Sequence, residues 1–355
     1  MSRIRIAMIG CGRVAQQHVR AWKLYPREVE IVALCDRVRA KAEETRKVNK
    51  LPGARVLTDW RELVDDPSVD AVDVCTYSDL HDDILAAFMP AGKHVATEKP
   101  VGYTLENCRR LRYFIKHNPK VKVQVAYSLR YYPVNIEVKR LVAEGAVGKV
   151  LHAEVTHMHP HEFKARETDW VADRAAWGIE TSTDSGGRYV ASGEMIHTTH
   201  AFDLIRYILS DEPFDVFSLS HTAGAYAMIR FVKGALGLVT SGSSATQGIP
   251  NVAPVLVQGT EGTIYTSWNH FDNPKDPVLT AYLVSRGKRR VIRRPQDSGH
   301  GDRTRVRNFI DALTKNAPLI CDLEDGIRTS ELLHALWDSQ SHEIRVPMHR
   351  RTQTG

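Results

Sequence analysis

Glu98-Lys99-Pro100 stands where the strand-like run His94 to Ala96 gives out, in the stretch "GKHVATEKPVGYT". Proline and glycine favour a turn there for conformational reasons alone. A lysine in such a turn has a second use. Its ammonium can hydrogen-bond a hydroxyl or carbonyl oxygen and lower the cost of negative charge developing on it. Proline fixes the backbone beside it, and a cis Lys99–Pro100 bond would be one way to aim the side chain. A second set is His197, His200 and Asp203 in "GEMIHTTHAFDLIRYIL", residues 193 to 209. Their three-residue spacing puts them on one face of a helix. A histidine titrates near neutrality and suits proton exchange with an alcohol. The plainer alternative is that His200 packs or caps the helix while Asp203 pairs with Arg206. A His-His-Asp zinc site is a further option, for which no completing ligand is identifiable.

The third set is Gly10-Cys11-Gly12-Arg13-Val14-Ala15, a G-x-G-x-x-A. It follows a strand-like run, "IRIAMIG", and opens a helical pattern, which is the context a dinucleotide loop requires. Its glycines permit a tight turn and close approach of a pyrophosphate, and the helix start offers free N–H groups. Asp36 ends the next strand-like run and can accept both ribose hydroxyls of an adenosine. Its charge favours NAD over NADP, while Arg37 beside it keeps NADP open. Thr76-Tyr77-Ser78-Asp79-Leu80-His81 follows a later strand and should run beside the nicotinamide, together with Glu98 and Lys99. His81 has a plainer reading as a helix-start residue.

The elements that must position these residues fall into two grammars. Up to about residue 127, short apolar runs alternate with amphipathic segments, as a doubly wound parallel sheet with helices on both faces requires. From 128 onward, longer strands joined by Gly-containing turns such as "VKGA" and "TEGT" indicate an antiparallel sheet. Helices near 196–209, 301–315 and 324–341 complete the pattern. The expected division is residues 1–127 and residues 128–355, with the last helix free to pack back on the first domain.

The 355 residues are 43% hydrophobic and 25% charged, an ordinary globular composition. No apolar run is long enough to span a bilayer, and "MSRIRIAMIG" lacks a signal-peptide layout. Five widely spaced cysteines without a C-x-x-C pair suggest no disulfide framework and no thiolate metal site. The cytoplasm is the expected compartment, with no membrane partner. The net charge of +6 includes one dense run, "RGKRRVIRRP" (286–295). Without interleaved aromatics it reads as a solvated hairpin rather than a nucleic-acid surface. Arg130, Lys164, Arg166, Arg174 and Arg188 lie near the motifs and leave an anionic substrate open.

The G-x-G-x-x-A loop, Asp36, Thr76 to His81, "AGKHVATEKP" (91–100), "LRYYP" (129–133), "HAFD" (200–203), "GTEGTI" (259–264) and "EDGIRTSELLHALWDS" (324–339) together resemble the Gfo/Idh/MocA oxidoreductases, the family of glucose-fructose oxidoreductase and inositol dehydrogenase. The match runs from about residue 3 to residue 347, and "AGKHVATEKP" is its most specific piece. The resemblance implies an α/β fold, an N-terminal Rossmann domain followed by an α/β domain with a large open, mostly antiparallel sheet that commonly serves as an oligomer interface, here of a homodimer or homotetramer. It implies NAD or NADP as cofactor and a hydroxyl of a sugar or cyclitol as the reacting group. Lys99 and His200 become the catalytic pair, able to face each other across a cleft, with Arg130 and Tyr131 as further substrate contacts. Two departures stand out. The position four residues before His200, often aspartate in the family, is Ile196, which makes His197 the reserve base. The loop after the fourth strand reads T-Y-S where T-P-N is frequent. A redox-assisted glycoside hydrolase on the same scaffold is the alternative activity, and a sugar sensor a third class.

Overall fold

Runs of Val, Ile and Ala too short for helices alternate with helical segments over the first third of the chain, and they fold accordingly. The computed structural model describes residues 3–160, 193–221, 224–244, 253–268, 278–295 and 301–348. Strands β1 (Ile4–Ile9), β2 (Val29–Cys35), β3 (Arg55–Leu57), β4 (Ala71–Val74), β5 (His94–Thr97) and β6 (Val123–Val125) form one parallel sheet in the order β3-β2-β1-β4-β5-β6. Helices α1 (Arg13–Trp22), α2 (Arg39–Val48), α3 (His81–Phe88) and α4 (Leu105–His117) connect successive strands. The segment "WRELVDD", helical by pattern, makes only a 3-10 turn at Trp60–Leu63.

The helices form where their apolar spacing matches 3.6 residues per turn. Helix α1 buries Ala15, His18, Val19, Ala21 and Trp22 on one face. Helix α4 starts at Thr104, whose side chain accepts from the Asn107 amide at 3.1 Å. Two apolar cores result, one centred on Val72, Ile84, Phe88 and Leu111, the other on Ile6, Val19, Trp22 and Phe309. Trp22 and Phe309 meet edge to face at 5.8 Å.

The chain separates into two compact units, Met1–Tyr131 with Asp297–Ser330, and Tyr132–Gln296 with Glu331–Gly355. The first unit therefore includes α7 (Asp302–Lys315) and the start of α8 (Leu323–His342), which return to the parallel sheet after the intervening strands. The second unit contains α5 (Pro133–Ala143), α6 (Gly193–Leu209) and a nine-stranded sheet. Its strands are β7 (Val150–Pro160), β8 (Pro213–His221), β9 (Gly224–Phe231), β10 (Leu236–Ser244), β11 (Val255–Gly259), β12 (Gly262–Trp268), β13 (Val278–Ser285), β14 (Lys288–Pro295) and β15 (Val346–Pro347). The order is β14-β13-β12-β11-β7-β10-β9-β8-β15, antiparallel except for the β7–β10 pair. One face buries Ala153, Val155, Ala227, Ile229 and Val239. Helix α6 packs on β7 and β10 of this sheet. The other face exposes Leu219, Tyr226, Met228 and Leu236. The basic run forms the β13–β14 hairpin, turning at Arg286-Gly287, with Arg289 stacked on Tyr282 and Arg286 paired with Glu261. Among the described residues no helix is long and apolar enough to cross a membrane.

Candidate active site

Parallel register fixes which residues share an edge. Ile9 pairs with Cys35 and with Val74, Val74 with Thr97, and Thr97 with Val125. The residues that follow this row are Gly10, Asp36, Cys75 and Glu98, so the glycine loop, the acidic residue and the E-K-P turn leave the sheet along one line. Ligands of doubly wound sheets bind along this carboxyl edge, where strand order reverses between β1 and β4.

The glycine loop suits close approach. Gly10 has φ +88°, and a Cβ there would lie 2.5 Å from the Cys75 carbonyl oxygen. Gly12, Arg13 and Val14 are exposed, and a Cβ on Gly12 would meet nothing within 4 Å. Helix α1 begins here with no side-chain cap and no acidic residue in its first turn. Its first amides thus remain available to an anion, and no carboxylate competes for them. These features fit the pyrophosphate of a dinucleotide. Asp36 braces the loop, accepting from the Cys11 amide and from the Val38 amide, each at 2.8 Å. Arg37 is exposed.

The E-K-P turn is tied down from several directions. The Lys99–Pro100 bond is cis. The Pro100 carbonyl lies 2.8 Å from His81 Nδ1, and the Thr76 carbonyl 3.2 Å from His81 Nε2. His81, expected beside the cofactor, is buried and bridges the two loops, so it shapes the wall they form. A neutral ring donates to one of these carbonyls at a time. Ser330 donates to the Val101 carbonyl, and Asp82 accepts from the Gly102 and Tyr103 amides at 2.7 Å each. Thr76 donates to the Tyr77 carbonyl at 3.2 Å, and both residues are half-buried. Lys99 is half-buried too. Burial lowers its pKa from the ordinary lysine value, and the Glu98 carboxylate opposes that shift.

Behind the turn, Glu98 meets a group of residues that no motif marks. His18 of α1 places Nδ1 2.9 Å from Asp73 and Nε2 3.0 Å from Glu98. The Trp22 indole donates to Asp73 at 2.6 Å. Cys75 Sγ is 3.2 Å from His18 Nδ1. Arg305 of α7 is buried beside them and raises the charge balance of the group. The visible signals were Asp73, a carboxylate inside an apolar strand, and a histidine on the buried face of the helix that the glycine loop opens.

Arg130 and Tyr131, expected to touch substrate, are turned into the first unit. Arg130 donates to the Ile320 carbonyl at 3.1 Å and pairs with Asp325 at 2.9 Å, while Tyr131 belongs to the apolar core. In the second unit, His200 is half-buried on α6, and its ring stands edge to face with that of His157 on β7, 5.9 Å between centroids. Asp203 and Arg206 are both buried, with Arg206 also held by Glu212 at 2.9 Å. Sequence reasoning missed His157. The side chain of His197 and all of Lys164, Arg166, Arg174 and Arg188 lie outside the described residues.

Comparison with known proteins agrees with this geometry. The chain is 26% identical over 337 residues to the levoglucosan dehydrogenase of Pseudarthrobacter phenanthrenivorans, covering 81% of this chain and 82% of that protein. It is 27% identical over 342 residues to the myo-inositol 2-dehydrogenase of Thermotoga maritima, covering 91% and 92%. The crystal structure of an oxidoreductase from Agrobacterium radiobacter in complex with NAD+, L-tartaric acid and magnesium shares the fold, with a TM-score of 0.80 at 18% identity over 98% of this chain and 99% of the other. Residues 4–127 match the NAD-binding Rossmann fold of the Gfo/Idh/MocA oxidoreductase family and residues 139–348 match its C-terminal alpha/beta domain, so the chain belongs to the Gfo/Idh/MocA family of NAD-binding oxidoreductases.

Proposed function

We propose that this protein is a dehydrogenase of a polyhydroxylated small molecule, a sugar, sugar derivative or cyclitol, with NAD as the preferred cofactor. The observation that carries the reading is the single sheet edge shared by the glycine loop, Asp36 and the Glu98-Lys99-Pro100 turn. The substrates named for the two relatives, levoglucosan and myo-inositol, support the substrate class.

Gly10, Cys11, Gly12, Arg13 and Val14 would hold the pyrophosphate. Asp36 would hold the adenosine ribose, and Thr76, Tyr77, Glu98 and Lys99 would border the nicotinamide. Bound NAD supplies the hydride acceptor. The chain's own part is to bind and to move a proton. The Lys99 ammonium holds the reacting oxygen by a hydrogen bond and stabilises negative charge as it develops there. His200 takes the hydroxyl proton at a ring nitrogen, with His197 as the reserve base. An alcohol releases its hydride readily only as that proton leaves.

The exposed apolar face of the nine-stranded sheet supports a homodimer or homotetramer formed by burying it. The cytoplasm as compartment rests on the five cysteines, none of which is in a disulfide. The function is tested by assaying a panel of neutral sugars, sugar acids, cyclitols and glycosides with NAD at 340 nm. NADH formed in equal amount with a keto product is the expected result. Aglycone release without net NADH, or no turnover of any polyol, would overturn it.

A further inference from the structure

We infer that His18 is a positioning residue that acts on Lys99 through Glu98. The inference rests on the proposed role of Lys99 and adds a residue that never reaches the reacting atoms. His18 is 3% exposed, and each of its nitrogens faces a carboxylate, Asp73 at 2.9 Å and Glu98 at 3.0 Å. A neutral imidazole has one N–H and would set a lone pair against one of these anions. Only the imidazolium satisfies both. Charge count points the same way. Asp73 and Glu98 bring two negative charges into the interior, and His18 and Arg305 offset them. The Arg305 guanidinium donates through Nε to Asp302 at 3.3 Å, and among the described residues its terminal nitrogens make no hydrogen bond. It therefore contributes charge, while His18 contributes both charge and direct contact. With His18 neutral, the buried group would carry an uncompensated carboxylate, which interiors disfavour strongly.

The contacts form a directed series. Trp22 fixes Asp73, Asp73 fixes His18, His18 fixes one oxygen of Glu98, and the other oxygen of Glu98 accepts from the Lys99 amide at 3.3 Å. The backbone from which the Lys99 side chain leaves is thus held by a carboxylate that is itself held. The groups facing His18 are Asp73 from β4, Cys75 just after it, Glu98 just after β5 and Arg305 from α7. Burial and Arg305 would lower the His18 pKa, yet Asp73, with Cys75, carries it well above the ordinary histidine value. Glu98 in turn raises the pKa of Lys99 against the effect of burial. Three donor atoms, from His18, Asp73 and Cys75, lie within 4.8 Å of one another. The second contact of His18 with Glu98, the Arg305 charge nearby and a Cys75 thiol pushed up to about 12 by burial favour a shared proton over a metal ion there.

The test reads Lys99 directly. Its acylation rate is followed against pH by mass spectrometry in wild type, His18→Asn and Glu98→Gln, without substrate. Removing the Glu98 charge lowers the Lys99 pKa further, so Glu98→Gln labels faster at a fixed pH below the midpoint. Removing the His18 charge leaves Glu98 less compensated, raises the Lys99 pKa and slows labelling. Opposite shifts are the expected result, and His18→Gln, which also removes the charge, should shift in the same direction as His18→Asn. Circular dichroism checks that each variant is folded. Should His18→Asn unfold the protein, His18→Gln carries the same sign. An unchanged Lys99 profile in the folded His18 variant, or a shift in the same direction as Glu98→Gln, would overturn the inference. So would a tightly bound zinc ion whose removal abolishes turnover. If labelling shifts as expected while the alkaline limb of kcat does not follow it, the role of Lys99 in turnover fails and the positioning role of His18 stands.

Discussion

The two sheets dispose of their faces in opposite ways. The parallel sheet buries both, with all four residues of β4 and all three of β6 inside. The nine-stranded sheet buries one face under α6 and leaves the other open, with Met228 and Leu236 each 58% exposed. A sheet covered on both sides can hold charged groups such as His18 and Asp73 in fixed geometry, because water does not compete for their hydrogen bonds. The first therefore carries the turn proposed to present Lys99, and the second carries the face proposed for association.

The sharpest way to break this contrast is at the carboxyl edge. Gly10→Val places a branched side chain at φ +88° against the Cys75 carbonyl. The left-handed conformation alone costs about 1–2 kcal/mol. The collision adds to it, and the variant should show no measurable NAD binding by fluorescence titration. The open face should tolerate change within the protomer but not between protomers. Met228→Glu with Leu236→Glu should keep the circular dichroism spectrum and shift light scattering from an oligomer to a monomer at micromolar concentration. A wild-type monomer would remove that half of the comparison.

Titration sharpens the contrast next. The folded-state pKa of His18 is raised, so its stabilisation is fully present below its unfolded value, about 6.5. That stabilisation is lost as pH rises through the higher folded value. The thermal midpoint of the wild type should therefore fall with rising pH above neutrality, and His18→Asn should flatten that decline. Asp73 and Glu98 have lowered pKa values, so their contribution is present above the unfolded carboxylate range and is lost as pH falls through their folded values. The smallest effect is cofactor choice. Asp36 should make NAD bind about tenfold more tightly than NADP, the scale of a modest charge repulsion, and Asp36→Asn should narrow the gap.

The frame of this molecule was legible because it is written in local periodicity. Strand and helix alternation, the glycine loop and the E-K-P turn each occupy a short window, and sheet register then aligned them. The contacts that fix the turn were not legible, because they form only in three dimensions. His18, Asp73 and Glu98 lie on α1, on β4 and beyond β5, and no spacing rule links them. Arg130 showed the reverse problem. It stands in a motif beside the site, yet Asp325 and the Ile320 carbonyl hold it from a helix and turn nearly two hundred residues away in sequence. His81 likewise sits beside the cofactor loop and spends its ring on two carbonyls.

The central claim is that Lys99 and His200 together carry the chemistry. It is tested most directly by measuring kcat and NADH affinity for Lys99→Ala, His200→Ala and His197→Ala on the polyol that turns over best. Loss of a general base costs about a hundredfold to ten-thousandfold in rate. Lys99→Ala and His200→Ala should each lose kcat in that range while NADH affinity stays nearly unchanged, and His197→Ala should lose far less. Near-normal turnover in either of the first two variants would contradict the account, and collapse of His197→Ala alone would move the base one helical turn earlier.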